Sequence, residues 1–342
     1  MLLSVIARFI GLILGIEDAE SFPPPLTKEE EFELFRRAAG GDSAARSRII
    51  EHNLRLVPHV IKKYYSTYEA QDELVSVGSM GLIKAADSFK YEYGTRFALI
   101  QSSSFLFCSN GFRWGMDIAF RGAYRLANTP KQAATLLADL ELMVISHGHS
   151  DHFEERTVRA LAQNPTKWVI PDFLEEQAIS YGISREKMII AHAGETLRVG
   201  PLTIRPFPGR HFRPVTGKGI EEYGYHISVD GGPAMAFPVD TRDFALRDMP
   251  KLPPANYCFA NVWLGDSCGN TADYGERPSE FARFMLHFSA KNILFAHLYE
   301  CDRKEKDMWR EEHAALLAKT ISQMNPDTRT LIPCPGEIYK LS

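Results

Sequence analysis

Beyond residue 100 the apolar residues of this chain fall in short runs, several of which end just before a histidine or an aspartate. Leu140-Glu141-Leu142-Met143-Val144-Ile145 leads into His147-Gly148-His149-Ser150-Asp151-His152-Phe153. Leu202 to Phe207 precedes His211, Ala234 to Val239 precedes Asp240, and Asn292 to Ala296 precedes His297. Runs of this length predict buried strands, with each polar residue in the loop that leaves the carboxyl end. Upstream the period changes. Thr27-Lys28-Glu29-Glu30 reads as a capping box opening a short helix that stops near Gly40-Gly41. Asp42 is placed to cap a longer helix, with Ile49, Ile50, Leu54, Leu56, Val57, Val60 and Ile61 near helical spacing, and a third helical stretch runs from about Gln71 to Phe89. The pattern predicts an α+β protein: a small all-helical module followed by a strand-rich domain.

The histidine-rich loop carries the chemistry. Three imidazoles and a carboxylate stand within His147–His152, and imidazole nitrogen and carboxylate oxygen are ligands that zinc, iron and manganese accept. In a tightly turned loop His147 and His149 point the same way and hold one ion. Asp151 and His152 fall a step further on, placed for a second. His211, Asp240 and His297 are the candidates that complete such a site. A surface loop rich in histidine is the plain alternative, and it leaves those three strand-end residues unexplained. His192, His226 and His287 lie inside strand-like or helix-like patterns and read as structural.

These pieces, in this order, resemble the metallo-beta-lactamase superfamily over about residues 97–342. The resemblance implies an αβ/βα sandwich with a metal site along one edge. It implies one ion on His147, His149 and His211, a second on Asp151, His152 and His297, and Asp240 bridging the two. Ser104 to Asp117 is similar to the family's first hairpin, with Asn110-Gly111 as its two-residue turn and Asp117 closing the second strand. Two ions sharing a water would hold hydroxide as the nucleophile and polarise a carbonyl or phosphoryl oxygen. Asp151, besides ligating, is expected to orient that hydroxide and carry a proton to the leaving group. No cysteine joins the set, so the ligands alone do not decide between zinc, manganese and iron; two divalent ions are expected, zinc first among them. An ester, lactone or phosphoester-type small molecule is the expected substrate.

The first hundred residues resemble the sigma-70 family, in particular its sporulation members. Ile49 to Val57 and Asp72 to Ala85 carry the likeness. It implies that residues 26–98 are a truncated polymerase-docking module, with the segment around Asp72, Glu73 and Lys84 meeting the RNA polymerase core. After Ala98 the sigma pattern breaks off before its promoter-reading helix, and Pro58 falls inside the long helix, where it removes a hydrogen bond. Residues 1–98 hold 12 Lys plus Arg against 14 Asp plus Glu, so promoter DNA is not an expected partner.

Residues 2–16 form an apolar leader containing Arg8. As a helix it would reach roughly 22 Å, short of a hydrocarbon core of about 30 Å. No basic n-region or small-residue cleavage site frames it, so membrane-surface contact is the expectation rather than secretion. The sequence thus divides into 1–25, leader and Pro-rich linker, 26–98, and 99–342. Five scattered cysteines form no disulfide framework and point to a reducing cytoplasm. A net charge of −4 gives no pull towards a polyanion. Three readings follow: a metal-dependent hydrolase with a sigma-derived extension, a polymerase-docking factor with a passenger domain, or a non-functional fusion.

Overall fold

The computed structural model describes residues 23–39, 42–54, 57, 94–120, 132, 134–135, 137–212, 217–265, 274–300 and 308–341. The chain divides into two compact units, Met1–Tyr93 and Gly94–Ser342.

In the first unit, α1 (Lys28–Ala39) begins at a reciprocal cap. Thr27 Oγ1 accepts from Glu30 N at 3.2 Å, and Glu30 Oε2 accepts from Thr27 N at 3.0 Å. Helix α2 (Ser43–Asn53) is capped by Asp42, whose Oδ1 accepts from Ala44 N and Ala45 N, each at 3.0 Å. Leu34, Phe35, Ala45 and Ile49 bury one another between the two helices. The rest of the long helix, the third helical stretch, residues 2–16, and Asp72, Glu73 and Lys84 lie outside the described residues. Among the described residues no helix is long and apolar enough to cross a membrane.

The second unit is built on strands, taken here in chain order: β1 (Thr95–Gln101), β2 (Ser104–Ser109), β3 (Phe112–Met116), β4 (Leu142–Val144), β5 (Lys167–Pro171), β6 (Met188–Ala191), β7 (Leu197–Val199), β8 (Leu202–Pro208), β9 (Tyr223–Val229), β10 (Ala234–Val239), β11 (Tyr257–Asn261), β12 (Asn292–Ala296), β13 (Arg329–Leu331) and β14 (Ile338–Leu341). Among the described residues they form two seven-stranded sheets, ordered β14-β1-β2-β3-β4-β5-β6 and β13-β12-β11-β10-β9-β8-β7. Asn110 and Gly111, at φ 51° and 84°, make the two-residue turn between β2 and β3, both in the left-handed region that a twisted hairpin needs. Strand β4 lies between parallel β3 and β5, and Leu142, Met143 and Val144 are all buried, as a strand covered on both faces requires.

Strand β1 pairs antiparallel with both β2 and β14. Thr95, Phe97 and Leu99 point into the core while Arg96, Ala98 and Ile100 are only partly covered. The compact unit therefore begins at Gly94, ahead of the 98/99 boundary expected from the sequence, because this stretch alternates as a strand and is held along both of its edges.

The core between the sheets is aromatic. Phe107 stacks on Trp114 with centroids 4.1 Å apart, Phe237 on Phe259 at 4.7 Å, and Phe97 meets Phe259 edge-on at 5.1 Å. Such pairs each add about 0.5–1.5 kcal/mol beyond the area they bury. On the outer faces α3 (Glu155–Leu161) and α4 (Glu175–Ser180) cover the first sheet through Val158, Leu161 and Ala178. The second sheet is covered by α5 (Arg277–Leu286) and α6 (Glu311–Met324), through Phe281, Met285, Leu317 and Ile321. The result is a four-layer αβ/βα sandwich.

Candidate metal centre

Topology brings the candidate ligands to one edge. Strand β8 runs antiparallel to β9, β9 antiparallel to β10, and β10, β11 and β12 are parallel, so β8, β10 and β12 all point the same way. His211 follows the end of β8, and Asp240 and His297 stand immediately after β10 and β12. From the first sheet, the loop after β4 carries His147 to His152, and His147 bridges to Glu222 beside the start of β9.

The backbone turns sharply here. Val239, His297 and Asp117 have φ of 54°, 62° and 48°, a region that β-branched and bulky residues rarely enter. Each such residue costs about 1–3 kcal/mol and is kept only where surrounding contacts enforce it. At His297 one enforcing contact is its N–H donating to Ser102 O at 2.9 Å.

All seven sequence-selected residues come together. Ligand atoms of His147, His149, His211 and Asp240 lie within 4.8 Å of one another, and so do those of Asp151, His152, Asp240 and His297. Asp240 belongs to both groups. Its Oδ2 lies 3.9 Å from His147 Nε2, 4.0 Å from His211 Nε2 and 3.7 Å from His297 Nε2, and its Oδ1 lies 3.5 Å from His152 Nε2. His149 is half-buried and the other six are buried.

The donor set fits divalent cations. His147 Nε2 and both ring nitrogens of His211 are buried without a hydrogen-bond partner. A buried polar atom left unpaired costs about 1–3 kcal/mol, and a coordinated cation would remove that cost. Nitrogen and carboxylate donors without sulfur suit zinc, manganese or iron.

Asp117 sets the imidazole tautomers. Its carboxylate accepts from Ser146 N at 2.8 Å, from Ser146 Oγ at 2.6 Å and from His152 Nδ1 at 2.8 Å. Because the Ser146 hydroxyl spends its one proton on Asp117, the 2.9 Å contact between Ser146 Oγ and His147 Nδ1 makes the histidine the donor. His147 therefore presents a bare Nε2 to the centre, while Asp117 orients His152 through its Nδ1, the arrangement that carboxylate–histidine pairs give to metal ligands.

Electrostatics separate the two groups. Burial pushes His147 and His149 below the ordinary histidine range and takes His211 down to about 3, so these rings are neutral and ready to ligate. In the other group burial acts against charge, but the carboxylates win. Asp240, Asp151 and Asp117 raise His152, and Asp240, Asp151 and Glu300 raise His297. In return, the two imidazoliums outweigh burial and hold Asp151 and Asp240 below the usual carboxylate range.

Several supporting residues were not singled out from the sequence. Glu222 Oε2 accepts from Asp240 N at 2.9 Å, and burial and the Asp240 charge raise its pKa. Asn261 Nδ2 donates to Asp240 Oδ1 at 2.8 Å. Glu300 Oε2 lies 3.6 Å from His297 Nε2. None of them sits in a readable motif; only Asp117, at the end of its hairpin, had a signal. Beside the centre a cavity of about 510 Å³ is walled by Phe173, Phe212, Tyr223 and Glu222, among others. A larger one, of about 680 Å³, runs along Asp243–Arg247 and α5.

Residues 110–298 match the model of the Beta-lactamase superfamily domain. The chain belongs to that superfamily. The fold is shared with Igni18, a metallo hydrolase from Ignicoccus hospitalis (TM-score 0.51, 14% identity, 72% of this chain and 98% of that one), and with yeast PDE1 (TM-score 0.52, 11% identity, 73% and 100%). Residues 49–98 match sigma-70 region 2. The RNA polymerase sigma-K factor of Bacillus subtilis (strain 168) is 39% identical over 94 residues, 28% of this chain and 32% of that protein. The chain thus spans about a third of the length of that curated relative.

Proposed function

We propose that the second unit is a metal-dependent hydrolase holding two divalent ions, zinc first among them with manganese and iron compatible. Its substrate on this reading is a small ester, lactone or phosphoester. One ion belongs on His147, His149 and His211 and the other on Asp151, His152 and His297, with Asp240 between. The observation that carries this is the pair of four-residue groups sharing Asp240, with bare imidazole nitrogens facing inward. Two cations held there supply an activated water and polarise a substrate oxygen.

The chain's own groups do the rest. Asp117 orients His147 through Ser146 and His152 directly, which aims the Nε2 atoms of both rings inward. Glu222 and Asn261 fix the Asp240 carboxylate from its backbone and its Oδ1 sides. Asp151, 3.3 Å from His297 and beside Asp240, is the group placed to carry a proton to the departing atom. The test is bound metal in the purified protein together with turnover of generic lactone and phosphodiester substrates. Metal-free protein inactive on both after zinc loading overturns the reading.

A second reading concerns the first unit. The sigma-70 region 2 match supports docking of residues 26–98 on the RNA polymerase core through the segment around Asp72, Glu73 and Lys84. Promoter reading is not part of it, since the chain enters β1 at Thr95. Capture of core polymerase by the full chain tests it, and loss of capture in a Glu73→Lys variant is the expected control.

A further inference from the structure

We infer that the non-reacting part of the substrate is a flat aromatic group without negative charge, seated in the cavity beside the metal centre between Phe173, Phe212 and Tyr223. The inference rests on the hydrolase reading and names the substrate class of that same site. The cavity, of about 510 Å³, falls in the size range of small-molecule sites, about 300–1,000 Å³. Three links tie it to the ligands. Tyr223, which opens β9, donates its N–H to Ser146 O at 3.0 Å, one residue before His147. Phe212 directly follows His211. Phe173 sits beside Leu174 in the turn after β5, and Gly148 of the ligand loop packs on Leu174, where an added Cβ would lie 3.2 Å from Cδ2.

Two of the rings are held in place by the chain itself. Phe173 and Tyr223 meet edge-on, with centroids 5.1 Å apart and planes at 76°. The Tyr223 hydroxyl donates to Asp172 Oδ1 at 2.9 Å, and Asp172 Oδ2 lies 2.9 Å from His192 Nδ1. The corner so formed offers a ring face and a ring edge, the surfaces on which a third ring packs. Phe212 is 46% exposed, an apolar ring that a bound group would cover. Charge narrows the choice. Among the described residues that line the cavity, Asp172, Glu221 and Glu222 are acidic and none is lysine or arginine. An anionic group would give up its hydration there without a counter-charge, whereas a neutral ring loses little.

The test titrates benzyl alcohol, cyclohexylmethanol and benzenesulfonate into the zinc-loaded full-length protein by ligand-observed NMR, for wild type, F212A and E221K, with zinc content measured on each sample. Wild type is expected to bind benzyl alcohol more tightly than either of the others. F212A, whose exposed ring the fold does not need, should bind benzyl alcohol about 2–10-fold more weakly at unchanged zinc content, the worth of one ring-on-ring contact. E221K places a cation at the rim and should narrow the gap between benzyl alcohol and benzenesulfonate. No binding of benzyl alcohol by wild type, equal affinity for cyclohexylmethanol or benzenesulfonate, an unchanged affinity or a loss of zinc in F212A, or an unchanged gap in E221K each overturn the assignment while the zinc-binding centre stands. A wild-type protein that takes up no zinc sinks the hydrolase reading itself, and this inference with it.

Discussion

The first sheet sends a single loop into the metal centre, and that loop carries His147, His149, Asp151 and His152. The second sheet sends three separate strand ends, each bearing one residue, His211, Asp240 or His297. The loop holds much of its own shape, with His152 N and Phe153 N both donating to His149 O at 3.0 and 2.7 Å. The strand ends lean on distant partners, Asp240 N donating to Glu222 Oε2 and His297 N to Ser102 O. Their placement depends on the register of β8 to β12 and on left-handed turns at Val239 and His297. One half of the centre is thus a local object and the other is a consequence of the fold, so damage to the core should reach the second half first.

The largest effect should come from the residue both groups use. Asp240→Ala is expected to take bound zinc from about two ions per chain to nearly none, while His297→Ala leaves about one. Atomic absorption on the purified variants decides it, and equal metal content in the two would dissolve the distinction. Next comes the core. Phe97→Ala should destabilise the second unit by about 3–5 kcal/mol in urea unfolding, because its buried ring meets Phe259 and Tyr339 at 5.1 and 5.2 Å. A fragment beginning at Gly94 should unfold cooperatively where one beginning at Leu99 does not; identical transitions would mean that β1 is dispensable.

A smaller effect is expected on the local half. Asp117→Asn should weaken zinc binding about 10–100-fold with the circular dichroism spectrum unchanged, since it disturbs tautomers and leaves the ligands in place. A chelator competition assay reads this directly. The smallest effect sharpens the picture of the second sheet. Cys258 on β11 is buried against Met285, and burial pushes its thiol up. It should stay unalkylated in the folded protein while exposed Cys334 reacts, as peptide mapping would show.

Much of this was legible because it is written locally. The runs ahead of His147, His211, Asp240 and His297 became strands β4, β8, β10 and β12, and Asn110-Gly111 made its turn, because strand period and turn chemistry need only neighbours. Thr27 and Asp42 cap helices for the same reason. Glu222, Asn261 and Glu300 were not legible, since each matters only through a partner that the fold brings near. At the junction, Thr95 to Ala98 do carry an in-and-out alternation, yet four residues are too few to outweigh the helical pattern before them. Asp72, Glu73, Lys84 and residues 2–16 lie outside the described residues, so their roles stand on sequence alone.

The pairing of Thr95 with Leu341 carries a consequence for synthesis. The strand that opens the second unit finds one of its two neighbours only at the unit's far end, so a nascent chain emerging from the ribosome cannot finish this sheet early. Until then β1 shows an unsatisfied backbone edge to the cell, the exposure that invites aggregation and chaperone capture.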